Sequence, residues 1–207
     1  MTRRTRFIGI DGEMTGGGAR GEENSAPRQF QLIQVGAALG ETALQIFSSD
    51  IGYERWNEDP KAMSVNGISA ERIKLAPAPA VVDDALCIWL DAVGTQDDTL
   101  VPVGWGVSGF DMPFVREYLP KFARRLSRRS VDLNAIVFLL GGSGNQATRW
   151  KAKSKEYAEQ EMLKRGYRPN WHDAGYDAAA ALLAFEYFQR LVESVKSFRD
   201  TLDGYWK

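Results

Sequence analysis

The stretch FIGIDGEMTGGG, residues 7–18, ends an apolar run with two carboxylates and follows them with glycines. Alternate side chains of an extended strand lie on one side of the sheet, so Asp11 and Glu13 share a face while Ile8 and Ile10 lie on the other. Two neighbouring carboxylates repel each other unless a cation or a shared proton lies between them. The stretch therefore predicts a strand whose end carries an acidic pair suited to a cation or a shared proton.

Length and cysteine content restrict the class of protein. The chain has 207 residues, of which 44% are hydrophobic, with a single cysteine, Cys87, and a single histidine, His172. This length suits one domain that spans residues 1–207. A single cysteine excludes an intrachain disulfide and a zinc site built on several thiolates.

The charge balance and the N-terminal segment bear on partners and location. The formal net charge is -1, so a polyanionic partner would have to be held by a local basic patch. Asp11 and Glu13 interrupt the first apolar run, which makes it too short for an export signal. The sequence has no apolar stretch long enough to span a membrane. We therefore expect a cytoplasmic protein with no membrane partner.

Strand and helix patterns alternate along the chain and predict an α/β fold. Apolar runs predict strands at 6–10, at 31–39, from 41 onward and at 99–106, with a long polar, Gly-rich loop between the first two. Helices are predicted after the caps Asp59 and Ser69, at 81–94, at 112–129, in the stretch before 165 and from about 173 onward.

Two further acidic positions join the opening pair. In GWGVSGFDMPF, residues 104–114, Asp111 lies just past a strand and at the start of a helix. In NWHDAGYD, residues 170–177, His172 precedes Asp177 by five positions. Five helical steps rotate by about 140°, so these two side chains cannot share a helix face. His172 is therefore expected in the loop or first turn, next to a site that Asp177 reaches from the helix.

Three motifs follow one another along the chain: DGE at 11–13, GFD at 109–111 and HDAGYD at 172–177. In this order they resemble the motifs of the DEDD 3'-to-5' exonucleases, in the DEDDh subgroup, which has a histidine five residues before its last aspartate. EMTG at 13–16 and VNGIS at 65–69 are similar to segments of oligoribonucleases and proofreading exonucleases. The resemblance extends over about residues 6–188. It implies a ribonuclease H-like fold, in which helices flank a mixed five-stranded sheet.

The resemblance implies a 3'-to-5' exonuclease that acts on single-stranded nucleic acid, releases nucleoside 5'-monophosphates and uses two Mg2+ or Mn2+ ions. Asp11 would bridge the two ions. Glu13 and Asp177 would hold the ion nearest the attacking water, and Asp111 would hold the other. His172 would accept the proton of that water. Members of the family often pair, so a homodimer is also implied.

Each site residue also has a simpler interpretation. Asp111 would serve as an N-cap of the helix that follows it. Asp173 lies four residues before Asp177 on the same helix face, which makes it a rival ligand. His172, taken alone, is a structural histidine. The order and spacing of the three motifs together outweigh these single interpretations.

Four further residues are candidates for substrate contacts. The resemblance places Met14 and Thr15 against the terminal base and the free 3' hydroxyl. Phe110 and Trp105 offer rings on which bases of any sequence can stack. DNA is slightly favoured over RNA, because no RNA-binding module is recognised and because the chain departs from the oligoribonuclease pattern in its first loop and at Gly106.

Other functions compete with this one. The chain could be a catalytically idle nucleic-acid-binding subunit of a larger complex, an exoribonuclease of the oligoribonuclease type, or a glycosidase with two carboxylates. Two basic stretches, at 115–130 and at 148–157, are either solvated helix faces or tracks for a nucleic-acid strand. The second contains Lys151, Lys153 and Lys155.

Overall fold

The computed structural model describes residues 4–17, 29–40, 43–142 and 144–205, and for 196–205 it describes the backbone alone. Most of the Gly-rich loop after the first strand lies outside these residues. The predicted mixed five-stranded sheet is confirmed, with the order β3-β2-β1-β4-β5. Its strands are β1 (Thr5–Met14), β2 (Leu32–Leu39), β3 (Gln45–Asp50), β4 (Thr99–Gly104) and β5 (Val131–Asp132). Strand β1 is central, antiparallel to β2 and parallel to β4.

Helices cover both faces of the sheet. They are α1 (Pro60–Asn66), α2 (Ala70–Leu75), α3 (Pro79–Ala92), α4 (Asp111–Tyr118), α5 (Pro120–Arg125), α6 (Leu133–Gly141), α7 (Asn145–Lys164) and α8 (Ala174–Tyr205). Asp59 and Ser69 cap α1 and α2 as predicted, each accepting a hydrogen bond from a first-turn N–H. Within the described part of the chain, every helix is too short or too polar to cross a membrane.

The two faces of β1 pack against different helices, as the alternation of its side chains predicts. Ile8 and Ile10 are fully buried in a cluster that includes residues of α3 and α4. On the other face the ring of Phe7 lies 4.6 Å from the ring of Phe185 in α8. Asp11 and Glu13 follow Phe7 on that second face, so they point toward the side of the sheet covered by α8.

Two glycines let α8 approach the sheet closely. A Cβ atom at Gly9 of β1 would overlap the carbonyl oxygen of Ala178, and one at Gly36 of β2 would overlap that of Ala174. Gly36 lies opposite Asp11 in the β1–β2 pairing. The helix therefore begins directly over the acidic end of β1, which sets its first turn beside the carboxylates.

The structure corrects two sequence-based boundaries. The helix predicted at 112–129 is interrupted at Leu119, because Pro120 has no N–H to continue the helical hydrogen bonds. The first strand does not end at residue 10 but continues to Met14, and its pairing with β2 includes both acidic residues. The acids therefore lie within a paired strand.

Candidate active site

The first two carboxylates are held by the pairing of β1 with β2. Asp11 lies opposite Gly36, and Glu13 lies opposite Gln34, which is buried. Asp11 is partly buried, and the Glu13 side chain is 14% exposed. Because both positions belong to a central strand, their backbone is fixed by ladder hydrogen bonds rather than by a loop.

Asp111 comes to this strand from the start of α4. It is not the N-cap of that helix, since Phe110 occupies the N-cap position and no side chain caps the helix. Its Oδ1 accepts a 3.1 Å hydrogen bond from the backbone N–H of Gly12, which lies between the two acids of β1. Asp111 is only 3% exposed. The second motif is thus joined to the first by a direct contact.

His172 and Asp177 arrive together from the loop and first turn at the start of α8. His172 lies outside the helix, as predicted, with a φ of 66°, and its backbone N–H donates a 3.0 Å hydrogen bond to Asp177 Oδ2. The other oxygen of Asp177, Oδ1, is buried and has no hydrogen-bond partner among the described residues. Asp173, the rival ligand, accepts hydrogen bonds from the N–H of Tyr176 and the amide of Gln34, so its carboxylate is engaged at the helix start.

The groups converge at one end of β1. One ligand atom each from Glu13, His172 and Asp177 lies within 4.8 Å of the others. His172 Nδ1 is 4.0 Å from Glu13 Oε1, and the imidazole is 55% exposed. Because Asp11 precedes Glu13 on the same face and Asp111 bonds to the residue between them, the three motifs build one site.

Burial, together with neighbouring carboxylate charges, raises the pKa values of these acids. Burial and then the charges of Asp111, Asp177 and Glu13 hold the pKa of Asp11 well above its usual range. Burial and the charges of Asp177, Asp111 and Asp173 raise the pKa of Glu13 to about 7. Burial raises the pKa of Asp111 to about 7, against the lowering effect of the Gly12 hydrogen bond.

Asp177 completes this electrostatic pattern. Burial raises its pKa, while the hydrogen bond and charge of His172 and the charge of Lys155 oppose the rise. Among the described residues, no lysine or arginine pairs within 4.0 Å with any of the four carboxylates of the site. A cluster of this kind is destabilised when all of its members are ionised.

The donor set fits hard divalent cations. Carboxylate oxygens are the ligands that Mg2+ and Mn2+ prefer, and in the described structure no lysine or arginine pairs with these carboxylates within 4.0 Å. The buried, unpartnered Oδ1 of Asp177 is a further oxygen available for coordination. Asp11, Glu13, Asp111 and Asp177 could together hold such ions, with the imidazole of His172 beside them.

The four residues predicted to contact substrate fall into two groups. The Met14 side chain is buried in the core, and Thr15 is fully buried, with Oγ1 accepting a 2.9 Å hydrogen bond from the Gln31 N–H. Neither side chain faces solvent, so their contact with substrate stays a prediction. Phe110 is 42% exposed beside Asp111, and Trp105 lines the cleft at the site.

A cleft of about 560 Å³ opens over the site. It is lined by Asp11, His172 and Asp177 and by residues outside the three motifs. Chief among these are Lys151, Lys155 and Trp171. Their sequence signals were the four-residue spacing of the two lysines and the position of Trp171 next to His172, but neither signal shows which side chains face the acids.

Comparison with solved structures identifies proteins of the same fold. E. coli exonuclease I in complex with a 5cy-dT13 oligonucleotide superposes with a TM-score of 0.57 at 14% identity over 88% of this chain and 40% of that chain. Cell-death related nuclease 4 (CRN-4) gives 0.55 at 14% identity over 92% and 64%, respectively. The nuclease domain of 3'hExo, a DEDDh family member, bound to rAMP, gives 0.53 at 15% identity over 90% and 93%.

These similarities establish the fold. The chain has the ribonuclease H-like fold of DEDDh 3'-5' exonucleases, as the sequence motifs predict. It spans less than half of the length of exonuclease I. A scan against models of protein families gives no match, and neither does a search of curated protein sequences.

Proposed function

We propose that this chain, with the fold of DEDDh exonucleases, is a metal-dependent enzyme that removes nucleotides from the 3' end of single-stranded nucleic acid. The observation that carries the proposal is the convergence of Glu13, His172 and Asp177 within 4.8 Å at the end of the strand that also holds Asp11. Asp111 joins them through its bond to Gly12. The products are nucleoside 5'-monophosphates.

The chemistry divides between bound ions and the chain's own groups. Two Mg2+ or Mn2+ ions, held by Asp11, Glu13, Asp111 and Asp177, would supply neutralisation of the phosphate and activation of a water molecule. The half-exposed imidazole of His172 accepts the proton of the attacking water. The carboxylate of Glu13, 4.0 Å from Nδ1, stabilises the imidazolium that this transfer creates.

Aromatic residues at the cleft account for binding without sequence preference. Trp105 lines the cleft, and the exposed ring of Phe110 immediately precedes Asp111. Bases of any identity stack on such rings. We favour DNA slightly over RNA, for the sequence reasons given above. The similar structures include exonuclease I with an oligonucleotide of dT and a 3'hExo domain with rAMP. Substrates with deoxyribose and with ribose should therefore both be tested.

The test is a time course on 5'-labelled DNA and RNA oligonucleotides of matched sequence, with Mg2+ or Mn2+. We expect a ladder that shortens one nucleotide at a time, is abolished by EDTA and is absent in Asp11→Asn. Asp97→Asn is the matched control, because this aspartate is exposed and lies just before β4, near the end of β1 opposite the site.

Three outcomes would contradict the proposal. Products that arise only from internal cuts would exclude exonuclease action. Hydrolysis that persists in EDTA would exclude a metal-dependent mechanism. Tight oligonucleotide binding with no product in either metal would favour the idle nucleic-acid-binding subunit.

A further inference from the structure

Helix α7 presents two lysines to the cleft. Lys151 and Lys155 are one helical turn apart, both are half-buried, and both line the cleft together with Asp11 and Asp177. Residues spaced by four lie on one helix face, so the two ammonium groups share a side. Lys155 is close enough to the acids to lower the pKa values of Asp11 and Asp177.

Neither lysine pairs with a carboxylate within 4.0 Å among the described residues, although Glu156 and Glu159 also line the cleft. Instead, Lys151 Nζ lies 4.7 Å from the centre of the Trp105 ring, and Lys155 Nζ lies 4.8 Å from the centre of the Trp171 ring. Such cation–π contacts position an ammonium group without neutralising it.

The two positive charges also oppose each other. Burial and the charge of Lys155 lower the pKa of Lys151. Like charges spaced by four residues on a helix are destabilising. An anion between or beside them would relieve this repulsion, and the cleft is open to solvent at that point.

A second cavity continues from the first along the same helix. It has a volume of about 390 Å³ and shares Lys151, Ala152 and Lys155 with the cleft. Asn134 and Thr148 extend its lining toward the start of α7. The Lys151 ammonium also donates a 3.4 Å hydrogen bond to the Asn134 side chain. The two lysines therefore lie where one cavity passes into the next.

We propose that this face of α7, defined by Lys151 and Lys155, is a binding track for the phosphates of a nucleic-acid strand as it leaves the carboxylate site. Lys155 takes the phosphate nearest the carboxylates, and Lys151 takes the next one toward Asn134 and Thr148. The proposal rests on the proposed function for the direction of the strand. Its contacts are to phosphates, so binding along the track is independent of base sequence.

The other basic side chains of the region are poorer candidates. Lys153 is exposed on the same helix, 5.6 Å from the Trp150 ring, and lines neither cavity. In the first basic stretch, Arg125 is paired with Asp91 at 2.9 Å on the side of α3. Lys153 therefore serves as a matched control, since it differs from Lys151 and Lys155 in the face it occupies and not in its helix.

The test measures binding without turnover. Fluorescence anisotropy of a labelled oligothymidylate of about ten nucleotides would be followed in EDTA between about 50 and 200 mM salt. For a single strand, the slope of log K against log salt is negative, and each lost phosphate contact reduces its magnitude by about 0.7. We expect that loss for Lys151→Gln and for Lys155→Gln, about twice that loss for the double variant, and none for Lys153→Gln.

A charge-restoring variant separates a lost contact from damaged folding. Lys151→Arg keeps the positive charge, so it should recover most of the slope that Lys151→Gln loses. If Lys151 had a merely structural role, restoring the charge alone would not restore the slope. Equal slopes for Lys151→Gln, Lys155→Gln and Lys153→Gln would overturn the proposal. Because no hydrolysis is needed, a protein that binds in this way but does not cleave would refute the proposed enzyme while supporting the track.

Discussion

The backbone N–H of His172 donates a 3.0 Å hydrogen bond to Oδ2 of Asp177, and the histidine has a φ of 66°. Among the described residues, His172 is the one non-glycine residue with positive φ. The bond uses one carboxylate oxygen to fix the loop and leaves Oδ1 buried and unpartnered. His172, the proposed proton acceptor, and Asp177 are thus positioned by each other.

Replacing the imidazole while keeping this backbone isolates its chemical role. Asparagine tolerates the left-handed conformation, so His172→Asn should leave the free energy of unfolding within about 0.5 kcal/mol of that of the native protein. It should lower kcat by about 100- to 10,000-fold, the usual contribution of a general base. Valine strongly disfavours positive φ, so His172→Val should lose stability as well as activity. Unchanged kcat in His172→Asn would remove histidine from the mechanism.

The close approach of α8 to β1 is testable at Gly9. The Cβ of Gly9→Ala would overlap the carbonyl oxygen of Ala178, so the helix must shift away from the strand. We expect a loss of about 1–3 kcal/mol in the free energy of unfolding, measured with urea. Weaker Mg2+ activation should accompany it, since Asp177 would move with the helix. Gly40→Ala is the control, because its Cβ would meet Leu44 and Leu182 at 3.5 and 3.7 Å, ordinary contact distances.

Local patterns in the sequence were sufficient to predict that Asp11 and Glu13 lie on one face of a strand and that His172 lies outside the helix of Asp177. The period of two along β1 and the 100° step of a helix are properties of the backbone alone. The role of Asp111 was not decidable locally, because an aspartate before a helix is usually a cap. A hydrogen bond from Gly12, 99 positions away in sequence, places the Asp111 carboxylate beside the acids of β1, and α4 has no side-chain cap.

Other features depended on contacts that no local pattern encodes. Strand β5 has two residues, and its pairing is determined by β4 rather than by its own composition. The interruption at Leu119 is an exception, because Pro120 is a local signal that the helical pattern on either side of it obscured. The lysines of the cleft became distinguishable from Lys153 only when α7 was placed against the site.

Gln34 connects the sheet to the start of α8. Its buried side chain accepts a 2.8 Å hydrogen bond from the Ala174 N–H and donates one of 2.9 Å to Asp50, which also binds Arg72. Gln34→Met preserves the approximate shape but removes the partner of the Ala174 N–H and one of the partners of Asp50. We expect a loss of about 1–3 kcal/mol in the free energy of unfolding, measured with urea, whereas Gln160→Met, at an exposed position of α7, should stay within about 0.5 kcal/mol. Equal effects of the two variants would show that this bridge does not stabilise the helix start.

Metal-free protein should become less stable as pH rises from about 4.5 to 7. The pKa of Glu13 is raised from 4.5 to about 7 in the folded state, so within this window the folded protein binds more protons than the unfolded chain and its free energy of unfolding falls with pH. Between about pH 5 and pH 7.5 the free energy of unfolding of the native protein should fall, and Glu13→Gln should remove on the order of 1–3 kcal/mol of that fall, measured by urea unfolding in EDTA. Exposed Glu54→Gln should leave the difference unchanged. Added Mg2+ should stabilise the native protein more at the higher pH, because ionised carboxylates are its ligands. The opposite result would be a free energy of unfolding that rises with pH over this window, and rises more steeply in the native protein than in Glu13→Gln. That result would show that the carboxylates do not repel one another in the folded state.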